Sequence, residues 1–167
     1  MKRILITGAF GQLGEACSDL LNANFHVIKT GIRADDEGIK LDIASEKSVK
    51  DFLDKHTPDI ILNLAAVTNV DGCEENPERA HKINHDGVVH LCDGFDGHFI
   101  QISTDYVFNG KEGPYLEDDP VDPISVYGKS KLAAEKYLLN SNISHTIVRA
   151  NVLYSYAPAT KASFLKW

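Results

Sequence analysis

The sequence predicts an α/β fold built on a doubly wound parallel sheet, and three observations carry that prediction. Short, wholly apolar runs alternate with segments of helical periodicity along the 167 residues. The first run, Ile4-Leu5-Ile6, is continuous and not interleaved with polar residues, as a strand covered by helices on both faces must be. A glycine-rich turn joins the first apolar run to the first helical segment. Right-handed crossovers between successive strands then follow from the twist of the sheet.

The first strand centres on Ile4-Leu5-Ile6 and ends at Thr7-Gly8. A helix follows over Leu13 to Leu21, with Leu13, Ala16, Cys17, Leu20 and Leu21 at helical spacing. Phe25 to Thr30 reads as the second strand. Ser45 to Lys55 reads as a helix with Val49, Phe52 and Leu53 on one face and Ser45 as its N-cap. Asp59 to Leu64 is the third strand. Pro77 to Cys92 reads as one helix, with Pro77 in the first turn, where no partner for its N–H is needed. His98 to Ser103 is the fourth strand, Ile124 to Leu139 a long helix after Pro120 and Pro123, and His145 to Ala150 the fifth strand.

Between them, Gly110 to Pro123 carries Glu112, Glu117, Asp118, Asp119 and Asp122 and reads as a solvated loop. Ser163 to Trp167 reads as the opening of a further helix, so the chain is expected to be cut short there. No internal repeat or low-complexity segment interrupts the pattern.

Composition narrows the function. The chain is 43% hydrophobic and 25% charged, an ordinary globular balance for one domain over residues 1–167. A chain of this size buries about two-thirds of its unfolded surface and needs no disulfide or metal staple. The net charge of −7 argues against nucleic-acid and membrane-surface partners, both polyanionic. Cys17, Cys73 and Cys92 are odd in number and lack paired spacing, which fits a reduced, cytoplasmic setting. The apolar run after Met1 is too short for a signal peptide core, and no run is long enough to span a bilayer.

The turn Gly8-Ala9-Phe10-Gly11-Gln12-Leu13-Gly14 lies between a strand and a helix, where a dinucleotide-binding turn belongs. Gly8 permits the tight turn, Gly11 lets the backbone approach a pyrophosphate, and Gly14 lets the helix pack close to the sheet. The helix N-terminus then faces the phosphates. The sheet is therefore of the Rossmann type. The second strand, Ile28-Lys29-Thr30-Gly31-Ile32-Arg33, does not close on the carboxylate that reads a free ribose hydroxyl. Lys29 or Arg33 paired with a 2′-phosphate favours NADP over NAD; otherwise both are solvated cations.

Tyr127 and Lys131 lie four residues apart on one helix face. A phenol titrates near about 10, and a neighbouring ammonium favours the phenolate, so the pair suits general acid–base work. Ser103-Thr104-Asp105 closes the fourth strand, where ligands of open parallel sheets bind. Thr104 can offer a hydroxyl to a substrate carbonyl. The glycine turn, Asn63-Leu64-Ala65-Ala66 and Ser103-Thr104 all fall at strand carboxyl ends and line one crevice.

With these residues the chain resembles the extended short-chain dehydrogenase/reductases, and among them the dTDP-4-dehydrorhamnose reductases. The resemblance rests on Gly8 to Gly14, Leu41-Asp42-Ile43, Pro58-Asp59-Ile60, and Asn63 through Val67-Thr68-Asn69-Val70-Asp71. It continues through Glu74-Glu75-Asn76-Pro77 with Ile83-Asn84, Ser103-Thr104-Asp105-Tyr106-Val107-Phe108-Asn109-Gly110, and Tyr127-Gly128-Lys129-Ser130-Lys131-Leu132-Ala133-Ala134-Glu135. Ser-Thr-Asp-Tyr-Val-Phe-x-Gly is the most discriminating string. Ala134 departs from the glycine frequent there, and Asn151-Val152-Leu153-Tyr154 departs from an aromatic residue soon after the fifth strand.

The resemblance covers nearly the whole chain but about the first half of such a reductase, so most of a C-terminal substrate subdomain is expected to be missing. It implies NADPH- or NADH-dependent reduction of the C4 keto group of a dTDP-linked 6-deoxy sugar. By the same resemblance Tyr127 donates the proton, Lys131 lowers the Tyr127 pKa and holds the nicotinamide ribose, and Thr104 binds the carbonyl oxygen. Asp105 and Tyr106 lie near the sugar. Asp42 and Ile43 border the adenine, while Leu64, Ala65, Ala66, Thr68 and Ser103 line the cofactor. A homodimer, and a magnesium role for the acidic loop, rest on the resemblance alone. Two rival readings share the fold: a non-catalytic NADP-binding regulatory subunit, and a sugar-nucleotide epimerase or dehydratase. His81, His85 and His90 share a predicted helix, but no third ligand is evident from the sequence, so they read as surface or packing residues and no metal site is expected.

Overall fold

A computed structural model describes residues 1–33 and 38–153. Its elements in chain order are β1 (Arg3–Thr7), α1 (Gln12–Leu21), β2 (His26–Gly31), β3 (Ile39–Lys40), α2 (Glu46–His56), β4 (Ile60–Asn63), α3 (Val70–Glu75), α4 (Pro77–His81), α5 (Gly87–Cys92), β5 (His98–Thr104), α6 (Val126–Leu139) and β6 (Ser144–Ala150). The strands form one sheet in the order β3-β2-β1-β4-β5-β6, and every pairing is parallel. The reversal of strand order beside β1 opens the crevice in which ligands of such sheets bind.

Side chains alternate across each strand, which divides the core in two. Leu5, Ile28, Ile61 and Phe99 pack with Val49, Phe52, Val88, Leu91, Ala134 and Leu138 of α2, α5 and α6. Ile4, Ile6 and Leu62 face the other way, with Cys17 and Leu21 of α1 packed against them. The central strands β1 and β4 are thus covered from both sides, whereas β6 has no fully buried residue.

Most elements lie within two residues of their expected bounds. Ser45 caps α2 by accepting from the Ser48 N–H, and Ser125 caps α6 by accepting from the Gly128 N–H. Ile124, expected inside the long helix, stands before that cap and is 71% exposed. Three features differ more. A sixth strand, β3, pairs two residues with Thr30 and Gly31, too short a run to register as periodicity. A separate short helix, α3, is capped by Asn69. The single helix expected over Pro77 to Cys92 is α4 and α5 joined by a π turn over Lys82–Asp86. The expected helix at Ser163 to Trp167 lies outside the described residues. Among the described residues no helix is long and apolar enough to cross a membrane.

Candidate active site

The glycine turn is shaped by close backbone approach. Gly8 has φ of +63°, and a Cβ there would stand 2.9 Å from the Ala65 nitrogen. A Cβ on Gly14 would stand 2.4 Å from the Gly8 carbonyl oxygen, so α1 starts directly against the turn. Gly11, the N-cap of α1, offers no side-chain bond to the first-turn amides and is exposed. Gln12 and Leu13 follow half-buried in that turn. The cradle has the form a pyrophosphate needs, with a helix N-terminus and no side chain in the way.

The Phe10 ring fills the space beside Gly31 and Gly38, where a Cβ would come within 2.9 and 2.1 Å of ring carbons. Lys29 Nζ lies 5.3 Å from the centroid of that ring. Of the two cations considered for a 2′-phosphate, Lys29 thus lies over Phe10 and Arg33 is exposed just beyond β2.

A buried polar ladder ties the strand ends together. The Thr7 hydroxyl donates to Asn63 Oδ1 and accepts from the Leu64 and Ala65 amides at 3.1 and 3.2 Å. Asn63 Nδ2 donates to Gln101 Oε1 at 2.8 Å. Leu64, Ala65 and Ala66 are half-buried and Thr68 is exposed. Asp42 is half-buried, and its Oδ1 accepts from the Ala44 amide at 3.0 Å. Ile43, expected to border an adenine, follows Asp42 directly. Its side chain is 5% exposed, packed in the core against the position of Gly87.

Thr104, Tyr127 and Lys131 come together at the carboxyl end of β5. The Thr104 hydroxyl stands beside the Tyr127 phenol and draws its pKa down. The Thr104 hydroxyl also meets Asp105 Oδ1 at 3.1 Å and accepts from the Tyr106 N–H at 3.2 Å, capping a single 3₁₀ turn over Asp105–Val107. The Tyr106 ring stands edge-on to Tyr127 at 5.7 Å and is 44% exposed. The Ser103 hydroxyl is buried and has no hydrogen-bond partner. Such an orphan is unusual in a folded chain and fits a site that a polar ligand completes.

The electrostatics depart from the expected pairing. Burial pushes the Tyr127 phenol above its usual range, against the lowering effect of the Thr104 hydroxyl beside it. Lys131 is not among the groups that shift it. The Lys131 ammonium instead donates to the Ile102 carbonyl at 2.6 Å. Burial brings Lys131 down to about 8, with Glu135 opposing. In this arrangement desolvation, not the neighbouring ammonium, sets the phenol.

Three supporting residues were not singled out as site residues by the sequence. Asn84, buried in the π turn, donates to the Ser130 hydroxyl at 2.9 Å and to the Val67 carbonyl at 3.0 Å, and accepts from the Val67 N–H at 2.8 Å. It joins α6 to the loop after β4. Glu135 is fully buried and paired with Arg149 at 2.7 Å. Arg149 also donates to the Glu117 carbonyl and lies over the Phe108 ring, at 2.8 and 5.2 Å. The signals for Glu135 were its place four residues after Lys131 and its position at the end of the string from Tyr127; Arg149 gave none.

The RmlD substrate binding domain family matches residues 1–167. A dTDP-4-dehydrorhamnose reductase of Sinorhizobium fredii is 38% identical over 157 residues, covering 92% of this chain and 51% of that protein. The methionine adenosyltransferase 2 subunit beta of Bos taurus is 34% identical, over 92% of this chain and 47% of its own length. A crystal structure of dTDP-4-dehydrorhamnose reductase from Bacillus anthracis, in complex with NADP, superposes with a TM-score of 0.87 at 31% identity, over 99% of this chain and 57% of that one. The chain thus spans about half the length of the relatives it matches. A match over every residue, on a parallel sheet whose glycine cradle and Thr104–Tyr127 pair share one edge, makes this chain a member of the RmlD substrate binding domain family.

Proposed function

We propose that the chain is the cofactor-binding part of an NADPH-dependent reductase acting on the C4 keto group of a dTDP-linked 6-deoxy sugar, in the cytoplasmic supply of deoxysugar precursors for surface polysaccharide. The observation that carries this reading is that Thr104 and Tyr127 meet at the carboxyl end of β5, beside the buried Lys131. The relatives named dTDP-4-dehydrorhamnose reductase support the substrate class, and the relative crystallised with NADP supports the cofactor.

When bound, the reduced nicotinamide supplies a hydride to the keto carbon. The carbonyl oxygen lies between the Thr104 and Tyr127 hydroxyls, and Tyr127 gives it the proton as the C–O double bond becomes a C–OH. A phenol raised by burial keeps that proton at neutral pH. Gly8, Gly11 and Gly14 would hold the pyrophosphate at the start of α1, Lys131 and Ser103 would hold the nicotinamide ribose side, and Arg33 or Lys29 would pair with the 2′-phosphate.

A second reading is favoured by the methionine adenosyltransferase 2 subunit beta relative: an NADP-binding regulatory subunit without turnover. One experiment separates them. The chain is titrated with NADPH and NADH by fluorescence, then assayed for NADPH consumption with a dTDP-4-keto-6-deoxy sugar. Sugar-dependent consumption lost in Tyr127→Phe, with NADPH affinity kept, is the expected result. NADPH binding without consumption, in this chain and in one extended to its relatives' full length, carries the regulatory reading instead.

A further inference from the structure

The helical segment between β4 and β5 carries a cluster that the proposed reaction does not use. His81 and His85 lie four residues apart, with ring centroids separated by 4.5 Å. That spacing alone is common on helices. The third member comes from the π turn over Lys82–Asp86. In an α-helix a residue five places on is rotated by about 140° and faces elsewhere. In a π turn, hydrogen-bonded from i to i+5, it returns over the first residue. Asp86 therefore overlies both histidines, with its Oδ1 3.3 Å from His81 Nδ1 and 2.7 Å from His85 Nδ1.

We propose that His81, His85 and Asp86 form a binding site for a divalent transition cation of the zinc type. The three ligand atoms all lie within 4.8 Å of one another, the one such group among the described residues. Imidazole and carboxylate are the ligands such cations take, and two of them at tetrahedral angle stand roughly 3.3 Å apart. His81 Nδ1 and Asp86 Oδ1 already have that separation. His85 Nδ1 must withdraw by about half an ångström to reach it. Two nitrogen donors disfavour magnesium, which prefers oxygen.

Partial exposure leaves a fourth position for water: the side chains of His81, Asp86 and His85 are 54%, 42% and 23% exposed. Four of the five other histidines are engaged differently. His90 Nδ1 meets the Ile43 carbonyl, His145 Nδ1 the Ile143 carbonyl, both His98 nitrogens meet Ser144 and Thr146, and His56 stacks on Phe52.

The site has a structural consequence. Asn84 belongs to the same π turn and bonds inward to Val67 and Ser130. A cation on the outer side would cross-link the turn and hold Asn84 in register. Untagged, chelator-treated protein is titrated with Co²⁺ by visible absorption, then with Zn²⁺ by competition. The expected result is one equivalent of four-coordinate cobalt, displaced by zinc, with a raised melting temperature. His81→Ala and Asp86→Asn, both at exposed or half-exposed positions, should each weaken binding at least tenfold while circular dichroism stays unchanged. His145→Ala should bind as the parent does. Absence of saturable binding at micromolar metal, or affinity unchanged in both cluster variants, overturns the proposal.

Discussion

The Lys131 ammonium and the Gln101 amide converge on one oxygen, the Ile102 carbonyl, at 2.6 and 2.9 Å. Gln101 accepts from Asn63, which accepts from Thr7, which holds the amides after β4. An unbroken chain of buried polar groups therefore runs from the glycine turn to the lysine of α6. Three neighbouring strands, β1, β4 and β5, supply Thr7, Asn63 and Gln101, because parallel register sets Thr7 beside Asn63 and Asn63 beside Gln101.

Lys131 is held at a cost in stability that depends on pH. Its folded value is lowered to about 8 from an ordinary 10.5. Between these the unfolded state binds more protons, so stability rises with pH across that window, and the full penalty is present below it. Lys131→Met should raise stability near neutrality by about 1–3 kcal/mol and flatten the rise at alkaline pH. Urea unfolding on both sides of the window decides it; a variant less stable at both values would mean that the amine's hydrogen bond outweighs its desolvation.

Gly11 and Gly14 should separate binding from folding. A Cβ at Gly14 meets backbone at 2.4 Å, whereas at Gly11 its nearest neighbour is the Gly8 oxygen at 3.3 Å. Gly14→Ala is expected to cost at least about 2 kcal/mol, because neither the turn nor α1 can give. Gly11→Ala should fold nearly as the parent and bind NADPH more weakly. Thermal melts and NADPH titration of both variants test the contrast.

Asn84→Ala removes three hydrogen bonds, leaves the Val67 amide without its side-chain partner and leaves the Val67 carbonyl only the Cys73 thiol. The loss should be about 2–4 kcal/mol, larger than for a surface asparagine. Amide hydrogen exchange at Val67 should rise in the variant. Unchanged exchange there would mean that the loop after β4 is held by other contacts.

Glu135 and Arg149 join α6 to β6, with Glu135 fully buried. Glu135→Ala strands a guanidinium and should cost about 3–5 kcal/mol. Replacing both residues with methionine should recover much of that loss, since an apolar pair has no charge to desolvate. A double variant as unstable as the single one would show that the bond from Arg149 to the Glu117 carbonyl carries the stability.

Elements with a clear apolar signal were legible in the sequence: the strands, α1 and α2, with α6 placed by the prolines before it. β3 was not, because two residues have no period and their pairing is made by backbone alone. The π turn was not, because the Pro77 to Cys92 pattern fits an unbroken helix and an inserted residue in the turn leaves no compositional mark. The buried side chain of Ile43 and the position of Lys29 over Phe10 depend on which neighbours the fold brings near, which local spacing does not encode.

By itself the sequence determined the parallel sheet, the glycine turn between β1 and α1, and the residues Thr104, Tyr127 and Lys131 at its edge. Those follow from local rules: strand and helix periods, glycine sterics, and the four-residue repeat of a helix face. The tertiary structure alone decided that Lys131 points to the Ile102 carbonyl, that burial raises Tyr127, and that Asp86 joins His81 and His85. Each of these depends on distances between groups far apart in the chain or on a non-standard turn, and a hydrogen bond or a desolvation penalty exists only once the chain has closed around it.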